Sequence, residues 1–423
     1  MKLLGILFIL QGILMSATLE YIEIKGSKVP LIHETDRTLP IRSMQLVFVG
    51  GGNLFVDKQG LSRFSAKILS EGSKTLGATA FANELEKYAI SLSSNSGNET
   101  FVVELTSLKE YFQKGLNLTK DLFLDPNITQ KSMQKVSTNY VGELMGRETN
   151  FDYIASRELR GLLYDGALAE YMKPEDVEAI SIECVQDFFA KKLVLENLIV
   201  LTGGDFEQEE AKVLIKDFLE IFANGEKMSL PYFEPQKEPS KKIIPKQSDQ
   251  AYIYFIAPLQ KIDPQKQHLA KVASFILGSS GFGSRLMEEI RVKRGLAYSV
   301  HSKFTNNATH SYFSGHLQTK IQSKDEAIEV IEQLIEEFIA DGVTQKELDD
   351  AKRFLLGSDP LRRETLMQRI SIAFNEYYKG LGLGYSHEEL QKIEAMTLEQ
   401  LNEFIQNHGE IANLSYSIVT AKE

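Results

Sequence analysis

The stretch GLSRFSAKILSEGS, from Gly60 to Ser73, decides how this chain is understood. It begins Gly-Leu-x-x-Phe, continues as a short helix and ends in Glu-Gly-Ser. Residues four positions apart share one face of an α-helix, so Arg63 and Lys67 lie together here, with Ala66 beside them. That face therefore carries two permanent cations and no side chain that can accept a proton.

The composition sets the number of domains and excludes one class of function. The chain has 423 residues, of which 43% are hydrophobic, and this suits two domains of roughly 200 residues each. Its net charge is −11, and it contains no long basic run. Because nucleic-acid binding needs clustered Lys and Arg, we expect no nucleic-acid partner.

The first residues have the pattern of a secretory signal peptide. Lys2 precedes an apolar run, residues 3–14, and small residues follow it. The run is too short to cross a bilayer, and no later segment is long and apolar enough, so we expect no membrane span. We predict that residues 1–17 are a signal peptide and that the protein is periplasmic or secreted. A buried first strand or helix is the alternative. The lone Cys184 forms no intrachain disulfide.

A proline-rich segment divides the chain almost in half. Residues 226–250 contain four prolines among charged residues. Each proline removes a backbone donor and disfavours helix at the residue before it. We interpret this segment as a linker between an N-terminal domain, residues 18–225, and a C-terminal domain, residues 251–423.

The two halves resemble each other. Three pairs of segments match at offsets of 215 or 216 residues, which indicates a duplicated domain and not a solenoid of short units. The pairs are Ile128–Val136 with Val343–Ala351, Ala179–Phe188 with Ala395–Phe404, and Glu196–Asp205 with Ala412–Ala421.

Strand and helix patterns mix within each half. LPIRSMQLVFVGG and SLSSNSGNETFVVELTSL alternate partly with period two and contain β-branched residues, as half-buried strands do. DEAIEVIEQLIEEFIADG, from Asp325 to Gly342, places its apolar residues on one helical stripe, and Gly342 lies where a left-handed cap is expected. We therefore predict an α+β fold of two homologous domains, each a mainly antiparallel sheet with helices packed on it.

The Gly60–Ser73 stretch resembles the zinc-binding helix of the pitrilysin/insulinase family of metallopeptidases, and the resemblance covers nearly the whole chain. In that family the helix carries His-x-x-Glu-His, the inverted zinc motif. The two histidines bind Zn²⁺, and the Glu takes a proton from the metal-bound water. Here Arg63 and Lys67 stand at the histidine positions and Ala66 at the position of the base. The resemblance implies a processing-peptidase-like, two-domain subunit that lacks the motif.

Glu143 lies 76 residues after Lys67, where the family has its third zinc ligand. Alone it cannot hold zinc, and the alternatives are a solvated glutamate or an ion-pair partner for Arg63 or Lys67. The seven histidines offer no substitute site, because no two of them are three or four residues apart. We predict that this chain holds no metal and no other cofactor.

The segment Leu277–Val300 carries the second resemblance. In the family, a Gly-rich turn leads to a helix and then to an Arg and a Tyr, which hold the peptide backbone and stabilise the tetrahedral oxyanion. A guanidinium and a phenol suit this task because both donate hydrogen bonds where negative charge develops. The corresponding residues are Arg291 and Tyr298, after a predicted substrate loop of Gly278, Gly281 and Gly283.

This segment has two other interpretations. Arg291 alone is typical of a surface helix end, and Tyr298 alone of a residue packed in a strand. A P-loop does not fit, because Ser284 and Arg285 replace the required Lys-Ser/Thr. An offset of 216 places Lys67 opposite residue 283, so we expect this turn and the helix after it to be the counterpart of the Gly60–Ser73 stretch.

The resemblance also implies a partner. Two-domain members of the family commonly pair into a four-domain chamber, and in some pairs one subunit keeps the zinc motif while the other keeps the Arg/Tyr pair. Our hypothesis is that this chain is the non-zinc-binding subunit of a heterodimeric zinc metallopeptidase that acts on peptides or unfolded proteins. It would supply Arg291 and Tyr298, and the zinc-bearing homologous subunit would hold the metal. The alternatives are a non-catalytic scaffold or peptide-holding envelope protein, and an active metallopeptidase with an atypical site.

Overall fold

A computed structural model describes residues 17–235, 238–281 and 283–422. The segment predicted to be a signal peptide lies outside these residues, apart from Ala17. The described residues form two sheets with helices packed on them, and most strand pairs in both sheets are antiparallel. The predicted fold class, α+β with two homologous domains, is confirmed.

Six strands form the first sheet. They are β1 (Thr18–Ile24), β2 (Ser27–Thr35), β3 (Ile41–Val49), β4 (Ser91–Ser96), β5 (Thr100–Leu108) and β6 (Leu198–Gly204). Their order across the sheet is β1-β2-β6-β3-β5-β4, and only β2 and β6 pair in parallel. Alternate residues of β5, such as Val103 and Leu105, are fully buried in the first core, as the period-two pattern predicts.

Eight α-helices lie in the described part of the first half, which begins at residue 17. They are α1 (Leu61–Leu69), α2 (Gly77–Lys87), α3 (Phe112–Leu124), α4 (Gln130–Arg147), α5 (Phe151–Leu159), α6 (Pro174–Glu178), α7 (Ile182–Lys192) and α8 (Gln208–Leu219). Apolar residues of most of these helices and of the strands form one core, in which Phe64 of α1 and Phe112 of α3 are fully buried.

The second sheet has five strands, β7 (Lys241–Pro245), β8 (Gln250–Pro258), β9 (Ala297–Asn306), β10 (Ser311–Lys320) and β11 (Ser415–Thr420), in the order β7-β11-β8-β10-β9. Its helices are α9 (Gln267–Ser274), α10 (Lys324–Asp341), α11 (Gln345–Ser358), α12 (Leu366–Tyr378), α13 (Tyr385–Ala395) and α14 (Leu398–Gln406). Two segments are π-helical, Phe275–Ser279 and Met287–Lys293. Gly342 ends α10 with φ +70° but ψ −151°, so it is not the left-handed cap that we expected.

The order of the elements corrects one prediction about the duplication. In the first half, β3 leads to α1, α2 and the edge strand β4. In the second, β8 leads to α9, the Met287–Lys293 helix and the edge strand β9. The counterpart of α1 is therefore α9, and the expectation that the Gly-rich turn and its helix fill this role was wrong. One offset cannot align both halves, because β3 and β8 begin 209 residues apart whereas β6 and β11 begin 217 apart.

Part of the segment predicted to be a linker contributes to the second sheet. Strand β7 lies within residues 226–250 and pairs in parallel with β11. The same parallel pairing joins β2 to β6 in the first half, so β7 completes the repeated pattern. The prolines at and near β7 led us to predict a linker here. An edge strand such as β7 tolerates proline, so the strand can still form.

One helix from each half packs on the sheet of the other half. Helix α5 packs on β8 and β11, and helix α12 packs on β2 and β6. Ile370 of α12 lies in an apolar cluster with Ile32 and Leu201 of the first sheet. Ile154 of α5 clusters with Val419 of the second sheet. The halves are therefore interlocked at two reciprocal contacts.

Candidate functional site

Helix α1 is held against the edge strand β4 by polar contacts. Gly60 precedes the helix with φ +77°, a conformation that favours glycine. The Ser94 hydroxyl on β4 donates to the carbonyl of Ala66 at 2.7 Å, and the hydroxyls of Ser62 and Ser96 lie 2.6 Å apart. None of these contacts uses the side chains at positions 63, 66 and 67. The helix backbone is therefore positioned independently of the residues that replace the zinc motif.

The structure brings Lys67 and Glu143 together. Helix α4 begins with a capping box at Thr129 and carries Glu143 alongside α1. Lys67 Nζ donates to both carboxylate oxygens of Glu143, at 2.9 and 3.0 Å. The same ammonium lies 4.7 Å from the ring centroid of Tyr140, three residues earlier on α4. The ion pair with Lys67, one of the alternatives that the sequence left open for Glu143, is thus present.

These side chains do not fit a zinc ion. Zinc needs at least three nitrogen, sulfur or oxygen ligands with free lone pairs, and neither Arg63 nor Lys67 has one to give. Ala66 has no donor atom, and both oxygens of Glu143 already accept from Lys67. Across residues 17–235, 238–281 and 283–422, no group of three or more His, Cys, Asp or Glu side chains could hold a metal ion.

Tyr140 is a member of this cluster that sequence reasoning missed. It is only 2% exposed, and burial raises its pKa while the nearby charge of Arg63 acts in the opposite direction. Arg63 and Lys67 therefore both act on Tyr140, one on its hydroxyl group and one on its ring. The sequence contains a signal for Tyr140, because it precedes Glu143 by three residues and residues three apart share one face of a helix.

Arg291 and Tyr298 contact each other at the beginning of β9. The guanidinium carbon of Arg291 lies 4.5 Å from the centroid of the Tyr298 ring. A β-bulge opposite Leu317 and Thr319 adds one residue to β9 at this point, and bulges redirect side chains. Tyr298 is 82% exposed, so the alternative in which it packs inside a strand is wrong. The pair presents a guanidinium and a phenol on the surface of the second half.

The glycines of the predicted substrate loop serve packing and turn geometry. Gly278 lies against β9, where a Cβ would come within 2.1 Å of the Ser302 hydroxyl. Gly281 and Gly283 have φ values of +71° and +92°, which other residues rarely adopt. These glycines position the helix that carries Arg291, and their contact with a substrate stays a prediction.

One carboxylate joins the edge hairpins of the two halves. Glu99, in the turn between β4 and β5, accepts from the backbone N–H of Thr309 at 2.9 Å. It also accepts from the Tyr378 hydroxyl at 2.8 Å. Thr309 lies in the turn between β9 and β10, and Tyr378 ends α12. Sequence reasoning missed this contact because the partners lie 210 and 279 residues beyond Glu99.

His310, beside this contact, is expected to make the fold sensitive to acid. It is fully buried, and burial together with the charge of Arg160 lowers its pKa from 6.5 to about 4. Between pH 6.5 and about pH 4, the unfolded chain binds more protons at this histidine than the folded chain does. The free energy of unfolding should therefore fall by up to about 1.4 kcal/mol per pH unit as the pH drops through this range. Urea titrations from pH 7 to pH 4 should show a shallower dependence in His310→Gln than in the exposed control His387→Gln. Equal slopes in the two variants would contradict this assignment.

The fold and the site define a class: a two-domain chain of metallopeptidase architecture with cations at the metal-binding positions of its first-half helix. The chain belongs to peptidase family M16, the insulinase family. Residues 41–157 match the family description "Insulinase (Peptidase family M16)", and residues 179–355 match "Peptidase M16 inactive domain". A Helicobacter pylori protein named "Non-peptidase homolog YmxG" is 39% identical, over 100% of this chain and 98% of its own length.

Two solved structures support the architecture. A Pseudomonas fluorescens structure described as a peptidase M16 inactive domain has a TM-score of 0.87 at 22% identity and covers 96% of this chain and 98% of its own. A Helicobacter pylori structure described as a protease has a TM-score of 0.81 at 16% identity, with coverages of 96% and 100%. Among the helices that the structure describes, none is both long and apolar enough to cross a lipid bilayer.

Proposed function

We propose that this chain is the zinc-free subunit of a heterodimeric M16 metallopeptidase, located in the periplasm or secreted. In this proposal it supplies Arg291 and Tyr298 to the active site of a homologous subunit that carries the zinc motif. The observation that carries the proposal is the outward-facing Arg291–Tyr298 pair at a bulge of β9. A Tyr that is 82% exposed at the beginning of a strand is available to a ligand or a partner.

The chemistry of the pair supports a role in peptide binding and transition-state stabilisation. The Arg291 guanidinium offers several N–H donors in a fixed plane, and Tyr298 offers one O–H donor. Such donors are most effective where an oxyanion develops and water is excluded. Closure of a partner over the exposed pair would exclude that water. The name of the Helicobacter pylori relative, a non-peptidase homolog, supports the absence of hydrolysis by the chain alone.

The edge strands offer a way to hold peptides or unfolded proteins. Strand β4 lies at one end of the first sheet and pairs only with β5 among the described strands. An extended peptide can add to such an edge through backbone hydrogen bonds. The SLSSNSGNET segment, residues 91–100, resembles the edge that the family uses for this purpose. Helix α1 lies next to this edge.

Mixing the chain with a zinc-bearing M16 relative is expected to produce peptide cleavage that neither protein shows alone. Arg291→Ala and Tyr298→Phe should each lower kcat/KM by at least about tenfold, because each removes an oxyanion donor. Tyr298→Phe keeps the ring under the guanidinium, so its effect reports the hydroxyl alone. A fluorogenic peptide assay, with kcat and KM determined separately, measures both variants.

Two matched controls separate this role from a change in structure. Arg294→Ala removes an arginine that pairs with Glu289 near the same helix end, and Tyr21→Phe removes the hydroxyl of another exposed tyrosine. Both controls should keep full activity. Full activity in Arg291→Ala and Tyr298→Phe as well would exclude the proposed catalytic role.

A non-catalytic, peptide-holding role is the second candidate, and the name of the Helicobacter pylori relative favours it too. In that case the chain would bind peptides and a partner without any change in the partner's rate of cleavage. The same mixing experiment decides between the two, because only the first candidate predicts a rate that depends on Arg291 and Tyr298.

A further inference from the structure

A cavity of about 970 Å³ lies in the second half beside the edge strand β9. Its walls come from α9, β9, α12, α13 and the turn at residues 359–363. Five cationic and three acidic side chains line it, in a chain whose net charge is −11. The cationic ones are Lys271, Lys303, Arg362, Arg363 and Lys379, and the acidic ones are Asp359, Glu376 and Glu389. The cavity therefore carries an excess of positive charge on a negatively charged protein.

Each of the three acidic side chains is already satisfied. Lys271 donates to Glu389 at 2.6 Å, and Arg363 donates to Asp359 at 2.7 Å. The carboxylate of Glu376, which is 6% exposed, accepts two backbone N–H groups of the α12–α13 connection at 2.7 Å. These carboxylates hold two of the five cations, Lys271 and Arg363, in direct ion pairs.

The remaining three cations are in no direct ion pair with a described residue, although the charges of Glu389 and Glu99 act on Lys379 from a longer distance. Lys303 on β9 and Arg362 in the 359–363 turn make no ion pair or side-chain hydrogen bond with any residue that the structure describes. Lys379 donates to the neutral amide oxygen of Gln267 at 2.9 Å. The buried hydroxyl oxygen of Ser386, in the same wall, also has no hydrogen-bond partner among the described residues. Three positive charges that are in no direct ion pair thus line the cavity.

We infer that this cavity binds a peptide that carries carboxylate groups. The available cations lie on three separate elements, so a ligand with several separated carboxylates can reach more than one of them. Apolar side chains, among them Ile262, Phe304 and Leu381, line the same space and suit the non-charged parts of a peptide. The inference deepens the peptide-holding part of the proposed function by naming its substrate class. It does not depend on a partner or on Arg291 and Tyr298.

The test is direct binding of a peptide by the isolated chain in the absence of any peptidase. A fluorescein-labelled peptide of about eight residues rich in Glu is titrated and followed by fluorescence anisotropy, beside the same peptide with Gln in place of Glu. The Glu peptide should bind at least about tenfold more tightly, because each carboxylate gains a charge-assisted hydrogen bond. Arg362→Gln and Lys303→Gln should each weaken its binding by about fivefold to twentyfold.

Lys28→Gln is the matched control, because it removes the same charge from an exposed position in the first half. Equal weakening by Lys28→Gln, or equal affinity for the Glu and Gln peptides, overturns the inference. Citrate, a free tricarboxylate, provides a third arm of the experiment. If citrate binds as tightly as the Glu peptide, the site accepts small carboxylates and its assignment to peptides is wrong. Cleavage experiments with a partner do not enter this test, so its failure leaves the role of Arg291 and Tyr298 untouched.

Discussion

A variant with Arg63→His and Lys67→His is expected to bind about one zinc ion per chain, and the natural chain is expected to bind none. The two new imidazoles would lie on one face of α1, and Glu143 already lies within 3.0 Å of the side chain at position 67. Removal of Lys67 releases both carboxylate oxygens of Glu143. Two His ligands and one Glu ligand then form the three-ligand open site that catalytic zinc uses.

The backbone of α1 should survive these substitutions. The helix is positioned by Gly60 and by hydroxyl contacts of Ser62 and Ser94, none of which involves the replaced side chains. The ion pair lost with Lys67 is partly exposed, and such pairs contribute about 1 kcal/mol or less. Ala66 is only 4% exposed, so Ala66→Glu is the more demanding change and belongs in a separate triple variant.

Metal analysis after dialysis against EDTA and then zinc measures the result, and circular dichroism verifies the fold. Adding Glu143→Gln to the double variant should weaken zinc binding by at least about tenfold, since even changes beyond the metal ligands cost this much. A correctly folded double variant that takes up no more zinc than the natural chain would show that the geometry of the zinc helix has been lost. Peptide cleavage is expected only from the triple variant, which regains a proton acceptor.

Local patterns were enough to predict the duplication, and the family resemblance was enough to bring Glu143 to the face of α1. Matching segments near one offset revealed two domains, and the resemblance, which matches Lys67 and Glu143 to two zinc-ligand positions of the family, identified two residues that do lie in contact. The offset failed from β3 to β4, because the later hairpin β9–β10 and helix α10 are longer than their first-half counterparts, β4–β5 and α3. A constant offset cannot follow such differences, so it assigned the wrong counterpart to α1.

Contacts between distant segments could not be predicted. Glu99 and its partner Thr309 lie in turns, and no periodic pattern links two turns 210 residues apart. The cavity cations Lys303, Arg362 and Lys379 likewise come from a strand, a turn and a helix end, and each is ordinary in its own context. The apolar face of α12 indicates that the helix is buried, but amphipathicity does not specify which sheet buries it.

Because α5 and α12 each pack on the sheet of the other half, we expect the two halves to unfold together. Ile370→Asp should lower the free energy of unfolding by more than about 4 kcal/mol, because it places a charge without a partner among Ile32, Val47 and Leu201. The change lies in the second half of the sequence, but its surroundings belong to the first sheet. Ile243→Asp is the control, since Ile243 is 53% exposed on β7, and should cost less than about 1 kcal/mol.

Fluorescence can report each half separately because the chain contains no tryptophan. Phe123→Trp places a reporter beside the first core, and Phe304→Trp places one beside the second, both at partly buried positions. In urea, the two reporters should give the same midpoint, and Ile370→Asp should lower both midpoints equally. If only the Phe304→Trp reporter responds, the halves are independent domains joined by a linker, and the reciprocal helices contribute little to stability. A shared shift would instead establish that the two cores unfold together, because α12 belongs to the second half of the chain and packs on the first sheet.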